Sequence, residues 1–269
     1  MVSLAARRRR MTREIERTRG RLTILDRRSA NETVRFMREL RRDIRTAMIG
    51  AEGFKAEHLR GIRDEITRVI GRFETRMNAM VTGNQAGAWE MGVQMIDNPL
   101  AAAEVSAAMP LLTETQLITL QGFSADLITG ITQGMRTRIN SVVSLAVAGE
   151  KNVYQAAKEV DSVLGIAKRK GVTGRAMRIA RTEIGRAQSI ATQLRMEQAK
   201  ERVPGLKKQW FTGINPRPSH AAANGQVVDV KDFFIVGGHK AMEPKDPRLP
   251  VEEVANCNCT HGPYLEELE

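Results

Sequence analysis

A chain of 269 residues can bury one sizeable core or two smaller ones. Aromatic residues are only 4% of it, and Trp210, Phe211, Phe233, Phe234 and Tyr264 all fall in the last quarter, so a compact C-terminal domain should follow aromatic-poor helices. The net charge of +11 is unevenly spread, with +10 in residues 1–80, −4 in 81–150, +7 in 151–204 and −2 in 205–269. No apolar stretch is long enough to span a bilayer, and the N-terminus lacks the apolar region of a secretory signal, so a cytoplasmic protein with no membrane partner is expected. The absence of a G-x-G-x-x-G or Walker-type loop argues against the familiar nucleotide-binding enzymes.

The chain begins with a basic arm, residues 1–30, in which Arg7, Arg8, Arg9 and Arg10 are followed by Arg13, Arg17, Arg19 and Arg21. These arginines are the candidate DNA contacts, since such a run is drawn to phosphate backbones. No long apolar stripe precedes about Val34, so the tip is expected to be disordered or to form a solvated helix. A helical region should follow over 31–148. Its apolar stripes are Met37, Leu40, Ile44, Met48; then Leu59, Ile62, Ile66, Val69, Phe73, Met77, Met80; then Leu117, Leu120, Phe123, Leu127, Ile131, Met135. Thr82-Gly83-Asn84 signals a turn, and the Gly- and Ala-rich stretch 83–108 a joint between helices.

A short helix capped by Asn152 should run to Leu164 and stop at Gly165. The next stripe, Met177, Ala180, Ile184, Ala187, Ala191, Leu194, ends at Pro204-Gly205 and contains Arg181-Thr182-Glu183. Glu183 borders the buried stripe and needs a cation, with Arg217, His220 and Arg186 as candidates. Gly185 marks close packing in mid-helix. From Lys207 the period becomes that of strands, 208–212, 226–230 and 233–236, bounded by Gly, Pro and Asn. The expected fold class is α+β: a long helical N-terminal region followed by a small C-terminal domain with a short antiparallel sheet packed on a helix.

The C-terminal segment gathers Trp210, Arg217-Pro-Ser-His220, Asn224-Gly225, Pro244-Lys-Asp246-Pro247 and Asn256-Cys257-Asn-Cys259 behind the Arg181-Thr-Glu183 helix. In order and spacing this set resembles the phage Mu F-like head morphogenesis, or minor head protein, family over about Gly149 to Thr260. It departs from the family at Asn258, where an Arg usually stands. The resemblance implies a Mu F-like C-terminal domain over 149–269 whose motif residues are Arg181, Thr182, Glu183, Trp210, Arg217, His220, Gly225, Pro244, Asp246, Cys257 and Cys259. It also implies a minor head protein that binds the portal protein during procapsid assembly, with scaffold or major capsid protein as further partners. Such a protein would contact packaged DNA non-specifically, aid packaging or ejection, and pass from the host cytoplasm to the interior of the virion head.

No catalytic residue is assigned, and the motif set is expected to be a hydrogen-bonded network that closes loops over the sheet. The alternatives are a non-specific DNA-binding module and an enzyme, a metal-dependent hydrolase or a group-transfer enzyme using Glu183, His220 and the C-x-C. Arg181, Glu183 and Trp210 superficially resemble ADP-ribosyl transferase signatures; toxin domains of that type occur fused to the family, but such an extra domain does not fit in 269 residues. A nucleophilic Cys with His220 and Asp246 lacks visible oxyanion donors. Cys257, Cys259 and His220, with His239 or His261 as fourth ligand, would suit a structural zinc. Two packed thiols with no cofactor are the preferred expectation.

Overall fold

The computed structural model describes residues 3–49, 56–105 and 108–268. Helices α1 (Leu4–Ile49), α2 (Leu59–Ala102), α3 (Thr115–Val147), α4 (Val153–Leu164) and α5 (Gly171–Lys200) precede a C-terminal segment of short elements. There β1 (Leu206–Phe211), α6 (Pro218–Ala223), β2 (Val227–Asp229), β3 (Phe234–Val236), β4 (His239–Ala241), α7 (Val251–Val254) and β5 (Thr260–Leu265) follow in order. The fold is α+β, with a long helical N-terminal region and a small antiparallel sheet. Among the described residues, no helix is long and apolar enough to cross a membrane.

Two compact units emerge, one from residues 1–27, 83–121 and 181–269, the other from 28–82 and 122–180. This partition differs from the expected arm, helical region and C-terminal domain, because long helices each contribute to both units. The second unit is all-helical, built on Met37, Leu40, Ile44 and Met48 of α1, Ile62, Ile66, Val69 and Phe73 of α2, and Ile131, Met135, Ile139 and Val143 of α3, all buried. On α3 the stripe is rotated from the expected one: Phe123 is 48% exposed, while Ser124 and Ile128 are buried. Helix α4 follows its sequence signals, with a capping box between Asn152 and Gln155 and a left-handed Gly165 at its end. Within the same unit, Arg41 and Arg45 converge on Asp161 of α4 at 2.6 and 2.7 Å.

The first unit contains the sheet. The basic segment is not a disordered tip: it is the first half of α1, and Met11 and Ile15 are buried in a core with Met95, Ile96, Met196, Leu206, Val230 and Leu265. A few apolar residues suffice for docking where the partner surface is already apolar, and arginines occupy the rest of the circumference. The expected turn at 82–84 and the joint over 83–108 are also corrected. Helix α2 runs unbroken through Gly83, Asn84, Gly87, Gly92 and Pro99 to Ala102, and residues 106 and 107 of that stretch lie outside the described residues. Gly and Asn cost roughly 1 kcal/mol or less each in a helix. Burial of Val81, Gln85, Ala88, Trp89, Met95, Ile96 and Leu100 outweighs that cost.

Helix α5 is buried on most of its circumference from Thr182 to Ala199, where Ala187, Ala191 and Ala199 allow close approach. One such approach is at Gly92: a β-carbon there would stand 2.5 Å from Gln188 O and 2.6 Å from Ala191 Cβ, and Thr192 Oγ1 donates to Gly92 O at 3.1 Å.

The sheet differs from the expected one in membership. Its order is β2-β1-β5, all antiparallel, with Trp210 opposite His261. The segment around Phe234 pairs instead with β4 in a separate hairpin. Strand β5 carries Gly262 and Pro263, which argue against a strand in sequence; β5 lies at the sheet edge, where a missing N–H is tolerated.

Gly92→Ala should lower the melting midpoint by about 1–3 kcal/mol of stability through overpacking. Gly87→Ala, where nothing stands within 4 Å, should instead gain up to about 1 kcal/mol of helix propensity. Thermal denaturation of the two variants checks this, and equal shifts would show that α2 and α5 do not touch at Gly92.

Candidate functional site

The expected motif residues all lie in the first unit, and the structure joins them by side-chain contacts. The Arg181-Thr-Glu183 triplet points in three directions, as successive helical residues must. Arg181 pairs with Asp26 of α1 at 2.7 Å. Thr182 Oγ1 accepts from Asn256 N at 3.2 Å, just before the C-x-C. Glu183 takes its cation from its own helix: Arg186 Nη1 donates to both carboxylate oxygens, at 2.9 and 2.7 Å. Of the three candidate partners only Arg186 is realised, because i and i+3 residues share a face. Burial pushes the Glu183 pKa up, and the Arg186 charge opposes this.

Arg186 Nε also donates to Lys245 O at 3.2 Å, which places the P-x-D-P turn on α5. Lys245 sits there with φ 67°, and its side chain crosses Gly185 so closely that a β-carbon would lie 2.5 Å from Lys245 Cε. The glycine is therefore needed for close packing, as its position in mid-helix suggested. The ammonium then donates to Cys259 O at 2.8 Å. Asp246 closes the turn by accepting from Met242 N at 2.7 Å and from Arg248 N at 2.9 Å, and Pro244 is buried beside it.

Arg217 and His220 are not on an irregular loop. They belong to α6, with Arg217 as N-cap and Pro218 in the first turn. Arg217 donates to Ala255 O and, at 3.4 Å, to Glu253 O, satisfying carbonyls at the end of α7. His220 is 2% exposed, edge-on to Trp210 at 6.3 Å between ring centroids. Its Nδ1 lies 3.2 Å from Cys259 Sγ and 3.6 Å from Cys257 Sγ, and its Nε2 lies 2.8 Å from Glu253 Oε2. Ser219 Oγ donates to the same carboxylate oxygen at 2.9 Å. Trp210 fills the core with Phe234, Ala223, Val236 and both cysteines. Gly225, at φ 79°, turns the chain so that its N–H reaches Trp210 O at 2.9 Å.

The thiols are free and buried. Proximity to Cys259, with the charges of Lys245 and His220, holds Cys257 well below the usual thiol range, and Cys257 together with burial pushes Cys259 up. The bond to Cys257 raises the His220 pKa, against burial. Among the described residues the only His, Cys, Asp or Glu group with metal-binding proximity is His220, Cys257 and Cys259, whose donor atoms lie within 4.8 Å of one another. The expected fourth histidine is not there. His239 is exposed on β4, and His261 is fully buried on β5, facing Phe234 at 6.3 Å. Asp246 is bound to its own turn and is not part of the His220–cysteine cluster, so the alternative of a nucleophilic Cys with His220 and Asp246, already disfavoured by the sequence, is not assembled.

A cleft of about 290 Å³ borders this region, lined in part by Arg19, Arg181, Lys245, Cys257, Asn258 and Cys259. The arginines of α1 are divided in use. Arg7 Nε donates to Ala103 O and Arg19 Nη2 to Thr212 O, both at 2.5 Å, and Arg19 stacks on Phe211. Arg10 pairs with Glu104, Arg17 with Glu14, and Arg21 donates to Gln94. Arg8, Arg9, Arg10, Arg13, Arg17 and Arg21 nevertheless remain exposed.

Sequence reasoning missed Glu253, Lys245, Asp26, Lys208 and Glu243. Lys245 stood inside a motif already noted, whereas Glu253 carries no spacing signal. Lys208, fully buried on β1, reaches Met242 O at 2.7 Å and Gln193 Oε1 at 3.2 Å. Burial brings its pKa down to about 8, and burial with nearby Asp246 lifts Glu243 to about 7.

No family model matches this chain, and no solved structure matches it. Two curated proteins are similar over part of their length. The Enterococcus faecalis protein named NAD(+)--arginine ADP-ribosyltransferase EFV is 44% identical over 87 residues, 32% of this chain and 18% of that protein. The Bacillus subtilis (strain 168) protein named Uncharacterized protein YqbB is 30% identical over 90 residues, 33% of this chain and 28% of that protein. The aligned segments thus span less than a third of either relative.

Glu183→Ala should destabilise the full chain by about 3–5 kcal/mol, since it strips a buried guanidinium of its carboxylate, with Glu183→Gln in between; a thermal midpoint within error of wild type would place the pair in solvent. A second expectation concerns pH. Folded Glu243 keeps a proton that the unfolded chain releases, so its contribution to stability falls as pH rises from 4.5 to about 7. Lys208 acts oppositely, with stability rising between about 8 and 10.5. Melting midpoints measured against pH should fall less for Glu243→Gln than for wild type over the acidic window, by on the order of 3 kcal/mol. Parallel profiles would mean that Glu243 ionises normally.

Proposed function

We propose that this chain is a phage minor head protein that acts by binding: it associates with the portal protein during procapsid assembly and contacts packaged DNA through the basic first half of α1. The observation that carries this reading is the use made of the motif residues. Arg181, Thr182, Glu183, Arg217, Gly225 and Asp246 are each occupied in tying α5, α6, α7 and the turns of the first unit to one another. Residues committed to such ties define a rigid binding module rather than a reaction centre. The Mu F-like resemblance of that residue set supplies the partner class. Scaffold or major capsid protein would share the same assembly intermediate, and the site of action would move from the host cytoplasm to the head interior.

The exposed arginines on α1, offset by few acids, support the DNA contact, a term that depends on salt and not on base sequence.

Because Met11 and Ile15 belong to the core, deleting residues 1–28 would damage the fold, and point substitutions are the sounder test. Arg9→Gln, Arg13→Gln and Arg17→Gln combined should weaken DNA binding while leaving the melting midpoint within about 1 kcal/mol. The slope of log affinity against log salt should fall by about 0.9 for each phosphate that is no longer neutralised. Unchanged affinity and slope would remove α1 from DNA binding. Co-sedimentation of the wild-type chain with purified portal tests the assembly role, and its absence would overturn that role.

A further inference from the structure

The donor His220 Nδ1 comes from a segment far in sequence from the C-x-C that supplies Cys257 Sγ and Cys259 Sγ, and all three lie within 4.8 Å of one another. Four ligands at about 2.3 Å for sulfur and about 2.0 Å for imidazole around a tetrahedral zinc place nitrogen and sulfur roughly 3.5 Å apart. The observed separations are 3.2 and 3.6 Å. A nucleophile–base pair needs one sulfur against one nitrogen. Here two sulfurs aim at the same ring nitrogen, which can make one good hydrogen bond at most, so a common central ion explains the arrangement better than a thiol–imidazole pair.

Three features behind the donors add to this. The far ring nitrogen, Nε2, lies 2.8 Å from the half-buried Glu253 carboxylate, which also accepts from Ser219. The pair is not aligned for a hydrogen bond, but the carboxylate charge beside Nε2 favours the tautomer with its proton there and leaves Nδ1 with a lone pair for a metal. Cys259 N–H donates to Cys257 Sγ at 3.4 Å, and the Lys245 ammonium lies on Cys259 O, so both offset negative charge on sulfur. The nearby cleft is lined in part by Cys257 and Cys259.

We propose that Cys257, Cys259 and Nδ1 of His220 bind one divalent metal ion of the zinc class, with the Glu253 charge beside the far ring nitrogen and a water or small donor from the cleft as fourth ligand. The ion links α6 to the segment entering β5, two elements that no backbone ladder connects. This goes beyond the head-assembly reading and does not depend on it: portal or DNA binding could fail with the metal site intact.

The test uses the full reduced chain, produced with zinc in the medium and without a histidine tag. Elemental analysis should find about one zinc per chain. Cobalt(II) exchanged into the wild-type protein should give the visible bands of a tetrahedral ion and near-ultraviolet thiolate charge transfer. Glu253→Gln should keep the stoichiometry and the thiolate band while weakening metal affinity about 10–100-fold. Wild-type protein that retains no zinc and shows no cobalt–thiolate band overturns the proposal, as does His220→Ala with undiminished cobalt affinity. Alkylation of Cys259 at a rate that added zinc does not slow would overturn it too, in favour of a reactive thiol. The wild-type measurements decide the matter even if a variant fails to fold.

Discussion

The first unit depends on how one buried ion pair is accommodated. Glu183 and Arg186 lie on the face of α5 that the C-terminal segment covers, and two charges removed from water are tolerated only with further hydrogen bonds. Arg186 finds one on Lys245 O, which fixes the P-x-D-P turn against the helix. The turn in turn sends the Lys245 ammonium over Gly185 to Cys259 O. Each contact satisfies a polar group that burial would otherwise leave costly. The C-x-C, α6 and α7 are thereby positioned in sequence from a single point on α5.

That chain of contacts explains why the motif residues are so various in type. An arginine serves as a C-terminal cap at Arg217, an aspartate closes a turn at Asp246, a glycine makes room at Gly185, and Trp210 supplies the apolar mass against which His220 stands edge-on. Bonds made by one residue orient the next, so the network rigidifies as a whole. The outcome is a firm local scaffold around a soft-donor cluster, while α1 offers arginines to solvent from a helix anchored by a few apolar side chains.

The basic first helix shows the same division of roles at the surface. Arg7 and Arg19 are turned inward to carbonyl oxygens and Arg19 also covers Phe211, so part of the arginine run is structural. The exposed remainder carries the field. A charge run and a packed helix are thus compatible, since long arginine stems cover apolar surface while their heads stay wet.

Features whose energy is local could be read directly from the chain. The cap at Asn152 and stop at Gly165, the change of period at Lys207 and the stripes of α1 and α2 in the second unit were all legible, because each rests on residues within a turn or two of one another; Gly185 marked a close approach in mid-helix but not its partner, Lys245. The α+β class followed from these. Other features arise only on packing. The helix through Gly83 and Asn84 forms because distant apolar surface covers it, which outweighs a local penalty of at most about 1 kcal/mol per residue. Strand β5 forms despite Gly262 and Pro263 because β1 presents an open edge to pair with. Glu253, 33 residues beyond His220 in the numbering, meets it only when α6 and α7 fold together. Pairings of that range are fixed by packing and by the need to satisfy buried polar groups, neither of which leaves a periodic trace in the chain.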